Sequence, residues 1–177
     1  MSLNCNSPRL KITRQPQSTY NFPYESEVKN GRGYLYADPA NEKRWIRVQL
    51  ENWEGEEDEV CIRCSLVTDS PDRSPHFHRL GIRKTNRIHI QEYQDGVLSK
   101  RDNCITATFP GLSIVRTKIP NSGDKEIIKM MWLRRDSVRI KFEAFVFDDG
   151  TSSRQYICNP VYSQPIGPSI IYSSVIS

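Results

Sequence analysis

Between residues 60 and 66, Val60, Ile62, Cys64 and Leu66 fall at every second position, leaving Arg63 and Ser65 for the opposite side. Successive side chains of an extended chain point to opposite faces, so this pattern dictates a strand with one apolar face, as in a half-buried antiparallel sheet. The stretch 44–50 repeats it, with Ile46, Val48 and Leu50 on one face and Trp45 on the other. Comparable runs at 10–13, 88–92, 105–109, 113–116, 138–147 and 155–158 are bounded by Gly, Pro, Asn and Asp. They bring the count to about eight or nine strands. Strands at this spacing predict an all-β sandwich. A chain of 177 residues with 37% hydrophobic content is long enough for one sizeable core, and one domain is the default.

A single helical pattern interrupts the strands at 122–133. Ser122 or Asp124 stands ready to cap it, and Ile127, Ile128, Met131 and Trp132 form one apolar stripe. The stripe reads as a face packed on the sandwich, with a partner groove as the alternative. The end, 163–177, is rich in Ser, Pro and Ile and reads as a linker or loose edge leading into a longer parent chain. No apolar stretch reaches the length of a secretory signal or of a membrane span, which predicts a soluble intracellular chain without a membrane partner. Cys5, Cys61, Cys64, Cys104 and Cys158 are scattered and read as reduced thiols. A net charge of +4 excludes neither a nucleic-acid nor a protein partner, because the distribution of charge decides.

Few residues suggest chemistry. Cys61 and Cys64 are three apart in a strand, point to opposite faces and have no second pair, so they do not make a metal or redox site. His76 and His78 are read on one face of a strand, where metal ligation would need a further ligand that the sequence does not mark, so a structural role is the stronger reading. The acidic run at 54–59 reads as a solvated turn. Arg79, Arg83, Lys84 and Arg87 form either a phosphate track or partner surface, or an ordinary exposed loop. No Ser-His-Asp arrangement, phosphate loop or carboxylate pair stands in a recognisable context, so neither an enzyme nor a cofactor is expected.

Several separated segments, in order, resemble the amino-terminal, DNA-binding part of the Rel homology region of NF-κB/Rel transcription factors. Pro8-Arg9-Leu10-Lys11-Ile12-Thr13-Arg14-Gln15-Pro16 is similar to the family's opening strand, and Phe22-Pro23-Tyr24-Glu25-Ser26-Glu27 follows at the family's distance. Asn52-Trp53-Glu54-Gly55 looks like its Asn-Tyr-x-Gly turn, and Pro75-His76-Phe77-His78-Arg79-Leu80 like its Pro-His-x-His-x-Leu segment. Phe109-Pro110-Gly111-Leu112-Ser113-Ile114 is similar to Phe-x-Asn-Leu-Gly-Ile, and the segments 137–145 and 160–166 resemble the last strands and the exit. Ser26, where many relatives carry cysteine, and the short spacing from Pro16 to Tyr24 look closest to the insect Relish branch.

The resemblance implies an immunoglobulin-like β-sandwich over 8–166, with 167–177 leading toward an absent dimerisation domain. It also implies a first loop that enters the major groove, where the family reads guanines with two arginines and cytosine with a glutamate. Tyr24 and Glu27 occupy matching positions here, but Asn21 and Pro23 stand where the arginines belong. Arg116 and Lys118 stand near the family's two later lysines, Lys29 and Arg32 are candidate phosphate contacts, and Gln164 is a candidate at the exit. The implied function is a κB-like DNA-binding module with weakened or altered base readout. The implied partners are double-stranded DNA, a Rel-family dimer partner and an ankyrin-repeat inhibitor, met in cytoplasm and nucleus. The alternative is a protein-interaction or regulatory module that has lost DNA binding.

Overall fold

The computed structural model describes residues 6–28, 33–84 and 87–168. The alternating segments become strands where their pattern requires. β1 (Arg9–Arg14), β2 (Ile46–Glu51), β7 (Val97–Arg101) and β8 (Cys104–Phe109) form an antiparallel sheet in the order β1-β2-β8-β7. β3 (Val60–Thr68), β6 (Tyr93–Asp95), β10 (Val138–Phe147) and β11 (Arg154–Tyr156) form a second in the order β11-β10-β3-β6, and β12 (Val161–Tyr162) also pairs with β10. β4 (Arg79–Lys84), β5 (Arg87–Gln91) and β9 (Leu112–Val115) form a third.

The three apolar faces meet in one core. Val48 and Leu50 lie opposite Ala107 and Ile105 in register, all fully buried. Across the sandwich, Phe142 and Ala144 of β10 pair with Cys64 and Ile62 of β3. The Phe109 and Phe142 rings, 5.4 Å apart, join the two layers. Leu80, Ile82, Leu112 and Ile114 of the third sheet belong to the same cluster. Each such side chain removed from water contributes roughly 1.5–3 kcal/mol, which is why the inward set of β3 and β10 fixes their register.

The outer face of β3 explains why Arg63 sits in a core strand. Its guanidinium lies 3.6 Å from the centre of the Tyr93 ring, and its Nε and Nη2 donate to the two Asp95 carboxylate oxygens at 2.7 and 3.1 Å. Cys61 and Cys64 fall on opposite faces as expected. The described cysteines are free thiols, and burial raises the pKa of both members of this pair.

Three expectations need correction. The basic segment is not a loop: Arg79, Arg83 and Lys84 lie on β4 and Arg87 opens β5. Gly81 hid this strand, because it breaks the apolar run; a Cβ there would meet Val115 at 2.8 Å, so glycine is what lets β4 lie against β9. His76 and His78 are not on a strand but in the loop before β4. Finally, α1 (Lys125–Arg134) does not pack on the sandwich. It buries no residue, and Ile127 and Trp132 of the stripe are 59% and 51% exposed. Asp124 caps it, its carboxylate accepting from the N–H groups of Glu126 at 2.9 Å and Ile127 at 3.3 Å.

Candidate nucleic-acid interface

Three segments far apart in sequence converge at one edge of the sandwich. The first is the loop after β1, anchored by two buried aromatics. The Tyr20 hydroxyl donates to the Gly33 carbonyl at 2.5 Å and accepts from the Ile114 N–H at 3.2 Å, and burial pushes its pKa up to about 12. Phe22 packs edge-on to Tyr20 and 5.1 Å from the His78 ring. With Phe22 and Pro23 buried, Asn21, Tyr24 and Glu27 are left exposed.

The second segment is the exit from β9. The Arg116 N–H donates to the Pro23 carbonyl at 2.7 Å, and its Nε donates to the Phe22 carbonyl at 3.2 Å. Its guanidinium stands 6.0 Å from the Tyr24 ring and 4.0 Å from the Asp136 carboxylate. Arg116 therefore braces the first loop, and only its partly exposed end faces outward. Lys118, two residues on, is exposed and forms no ion pair among the described residues.

The third is the chain leaving β12. Gly167 accepts from the Tyr20 N–H at 2.8 Å and donates to the Ser18 carbonyl at 3.0 Å. A Cβ at Gly167 would lie 2.1 Å from the Asp136 carbonyl oxygen, so only glycine allows this approach. Gln164 is held inward: its Nε2 donates to the Pro16 carbonyl at 2.9 Å, and its backbone N–H donates to Gln15 Oε1 at 3.1 Å. Glu27 is likewise engaged, its carboxylate accepting from the Tyr24 N–H at 2.7 Å across a 3₁₀ turn at Glu25–Glu27. Lys29 and Arg32 lie outside the described residues.

Behind this edge, His76 and His78 tie the C-terminal end of α1 to the loop before β4. Nδ1 of His76 accepts from the His78 N–H at 3.0 Å, so its Nε2, 2.8 Å from the Arg134 carbonyl, carries the proton. Nδ1 of His78 accepts from the Thr117 N–H at 3.2 Å, leaving Nε2 to donate to the Arg135 carbonyl at 2.8 Å. Both rings are thus held neutral in one tautomer. Burial lowers both pKa values, that of His78 to about 4, although the helix-end carbonyls oppose the shift. Thr117 lies between Arg116 and Lys118, so this pair positions the second segment. No group of three or more His, Cys, Asp or Glu suited to a metal occurs among the described residues.

Tyr24 and Glu27, far in sequence from Arg116, lie with it at one edge of the fold. Tyr20, Phe22 and Gly167, which shape that edge, carry no charge that would mark them in the sequence. The alternation of Tyr20 and Phe22 was the available signal.

The architecture is a β-sandwich with loops gathered at one rim. A family model, the Rel homology DNA-binding domain, matches residues 10–131. The nuclear factor NF-kappa-B p110 subunit of Drosophila melanogaster is 35% identical over 114 residues, covering 62% of this chain and 11% of that protein. The chain thus spans about a tenth of the length of that relative. The solved structure of the Dorsal homologue Gambif1 bound to DNA shares the fold, with a TM-score of 0.64 at 20% identity over 89% of this chain and 97% of that one. The chain belongs to the Rel homology DNA-binding domain family, the DNA-binding module of Rel-type transcription factors, and is not an enzyme.

Proposed function

We propose that this module docks on double-stranded DNA through the edge formed by Asn21, Tyr24, Glu27, Arg116 and Lys118, with Lys29 and Arg32 as further phosphate contacts and with weakened or altered base readout. The observation that supports it is the hydrogen bonding of Arg116 to the Phe22 and Pro23 carbonyls, which sets an exposed Tyr24 beside a cationic segment. Asn21 cannot form the bidentate guanine contact of an arginine, worth roughly 1–3 kcal/mol per base. Glu27 must give up or share its bond to the Tyr24 N–H to accept from a cytosine, and Gln164 must release Pro16 to reach a groove. Phosphate contacts therefore outweigh base contacts, giving affinity with modest sequence preference.

On this reading the module acts as a pair with a Rel-family partner. It is held in the cytoplasm by an ankyrin-repeat inhibitor and acts in the nucleus. The test is a titration of κB-like and scrambled duplexes at two salt concentrations. Both duplexes bind at low salt, Lys118→Ala weakens both equally and lowers the salt slope by about 1, and Asn21→Arg raises the preference for the κB-like site. Absence of duplex binding at low salt refutes it. That outcome supports the second reading, a protein-interaction module, which the engaged side chains of Glu27 and Gln164 favour.

A further inference from the structure

The outer face of the β11-β10-β3-β6 sheet carries a trough of about 760 Å³, which shares His76, His78 and Thr117 with the support behind the edge described above but none of the proposed DNA contacts. β3 and β10 supply its floor, and the loop leading into β4 forms one wall. Five of its side chains are cationic, Arg63, Arg73, Arg79, Lys141 and Arg154, against two acidic ones, Glu92 and Glu143.

Internal pairing does not consume this excess. Arg63 is held by Asp95, Lys141 lies 2.7 Å from Glu143, and Arg73 lies 3.5 Å from Asp69. Arg79 and Arg154 are exposed and form no ion pair among the described residues. Arg154 rests over the Phe145 ring, 5.0 Å from its centre, which limits the freedom of the side chain and lowers the entropy cost of engaging a ligand. The two arginines come from separate elements, β11 and β4, so a ligand meeting both must lie along the trough.

The lining also says what kind of anion fits. Glu92 and Glu143 would repel a continuous polyphosphate, but they can accept the N–H groups of a peptide backbone. Val67, Pro75 and Phe77 add apolar surface between the charges. The size lies within the range of sites that enclose small ligands or a few residues. We propose that this trough binds a short acidic peptide segment of a partner protein, its carboxylate or phosphoryl groups engaging Arg79 and Arg154. This goes beyond DNA docking and does not depend on it, since none of the proposed DNA contacts lines the trough.

The test is fluorescence anisotropy of the full chain with two labelled probes, hexaglutamate and a hexapeptide carrying two phosphoserines; the tighter probe identifies the anion. Saturable binding is expected. Arg79→Glu and Arg154→Glu should each weaken it roughly fivefold or more, and Arg79→Gln and Arg154→Gln by less. Lys11→Glu, the same charge change on the outer face of the other sheet, should alter it by less than about twofold. Near-UV circular dichroism verifies that each variant is folded, and the glutamine variants carry the test if a glutamate variant is not. The proposal is overturned if neither peptide saturates, or if Lys11→Glu weakens binding as much as the trough variants do. It is equally overturned if single-stranded oligothymidine binds in place of the peptides with the same sensitivity to Arg79 and Arg154, which would make the trough a nucleic-acid site.

Discussion

Acidification from pH 7 to pH 5 will destabilise this domain through His78. The ring is 2% exposed, accepts from Thr117 at Nδ1 and donates to Arg135 at Nε2, so a proton can be added only by breaking the Thr117 bond. Its pKa falls from 6.5 to about 4, chiefly because burial disfavours the charged form. In the unfolded chain the ring returns to about 6.5 and binds a proton as the pH drops, while the folded ring stays neutral. Stability is therefore full above about pH 6.5 and is lost progressively down to about pH 4, where the folded ring itself titrates. Linkage over this interval gives a loss of about 2 kcal/mol between pH 7 and pH 5, and His76, shifted in the same direction, adds to it. Carboxylates titrate lower, near about 4. Burial alone would raise Asp95, but hydrogen bonds from Arg63 take it below its ordinary value, so it too stays out of this window. Urea denaturation at pH 7, 6 and 5 measures the loss. His78→Gln should start lower at pH 7, by about 1–3 kcal/mol for the buried Thr117 N–H left without its acceptor, and should lose most of the pH dependence. Equal stability at pH 7 and pH 5, or an unchanged slope in His78→Gln, would refute the assignment.

Other outcomes follow from the packing. Asp124→Ala removes both N-cap bonds and should cost about 1 kcal/mol of helix stability, but because α1 buries nothing, the loss should show as faster amide exchange in 125–130 with little change in global Tm. Phe142→Ala empties the centre of the sandwich against Phe109 and should cost about 3–5 kcal/mol in urea denaturation. Gly167→Ala forces the exit segment off Asp136 and should cost about 1–3 kcal/mol by thermal unfolding, with weaker duplex binding, since the same segment holds Ser18 and Tyr20 at the head of the first loop.

The sandwich was legible because its layers are built from strict alternation. Val60, Ile62, Cys64 and Leu66 and their partners on β10 can only point one way, and the register observed is the one that buries both sets. What period-two reasoning lost was the strand around Gly81, whose value lies in having no side chain against Val115, and the short strands β6 and β7, whose exposed residues carry no apolar stripe. The helix failed for a different reason. An apolar stripe records that a surface is sticky, not which surface covers it, and Ile127 and Trp132 have none within the described chain.

The edge was only half legible. Sequence position aligned Tyr24, Glu27 and Arg116, but it could not reveal that backbone donors and acceptors already engage two of them. The Tyr24 N–H captures the Glu27 carboxylate, and the Phe22 carbonyl captures the Arg116 Nε. These bonds change what the side chains can do. A guanidinium that braces a loop keeps its charge for phosphate but loses the freedom to present two parallel donors to a guanine, and a carboxylate closed on its own turn must lose one bond to gain another. On the proposed reading, Asn21 and Pro23 in place of arginines are thus only part of the altered readout. Replacing Asn21 with arginine restores a donor pair at an exposed position, whereas replacing Pro23 places a charge where a buried ring packs against Gly33. The two substitutions, equivalent by sequence alone, should therefore differ: Asn21→Arg should sharpen base preference at little cost, and Pro23→Arg should cost stability first, by disturbing the loop that Arg116 holds.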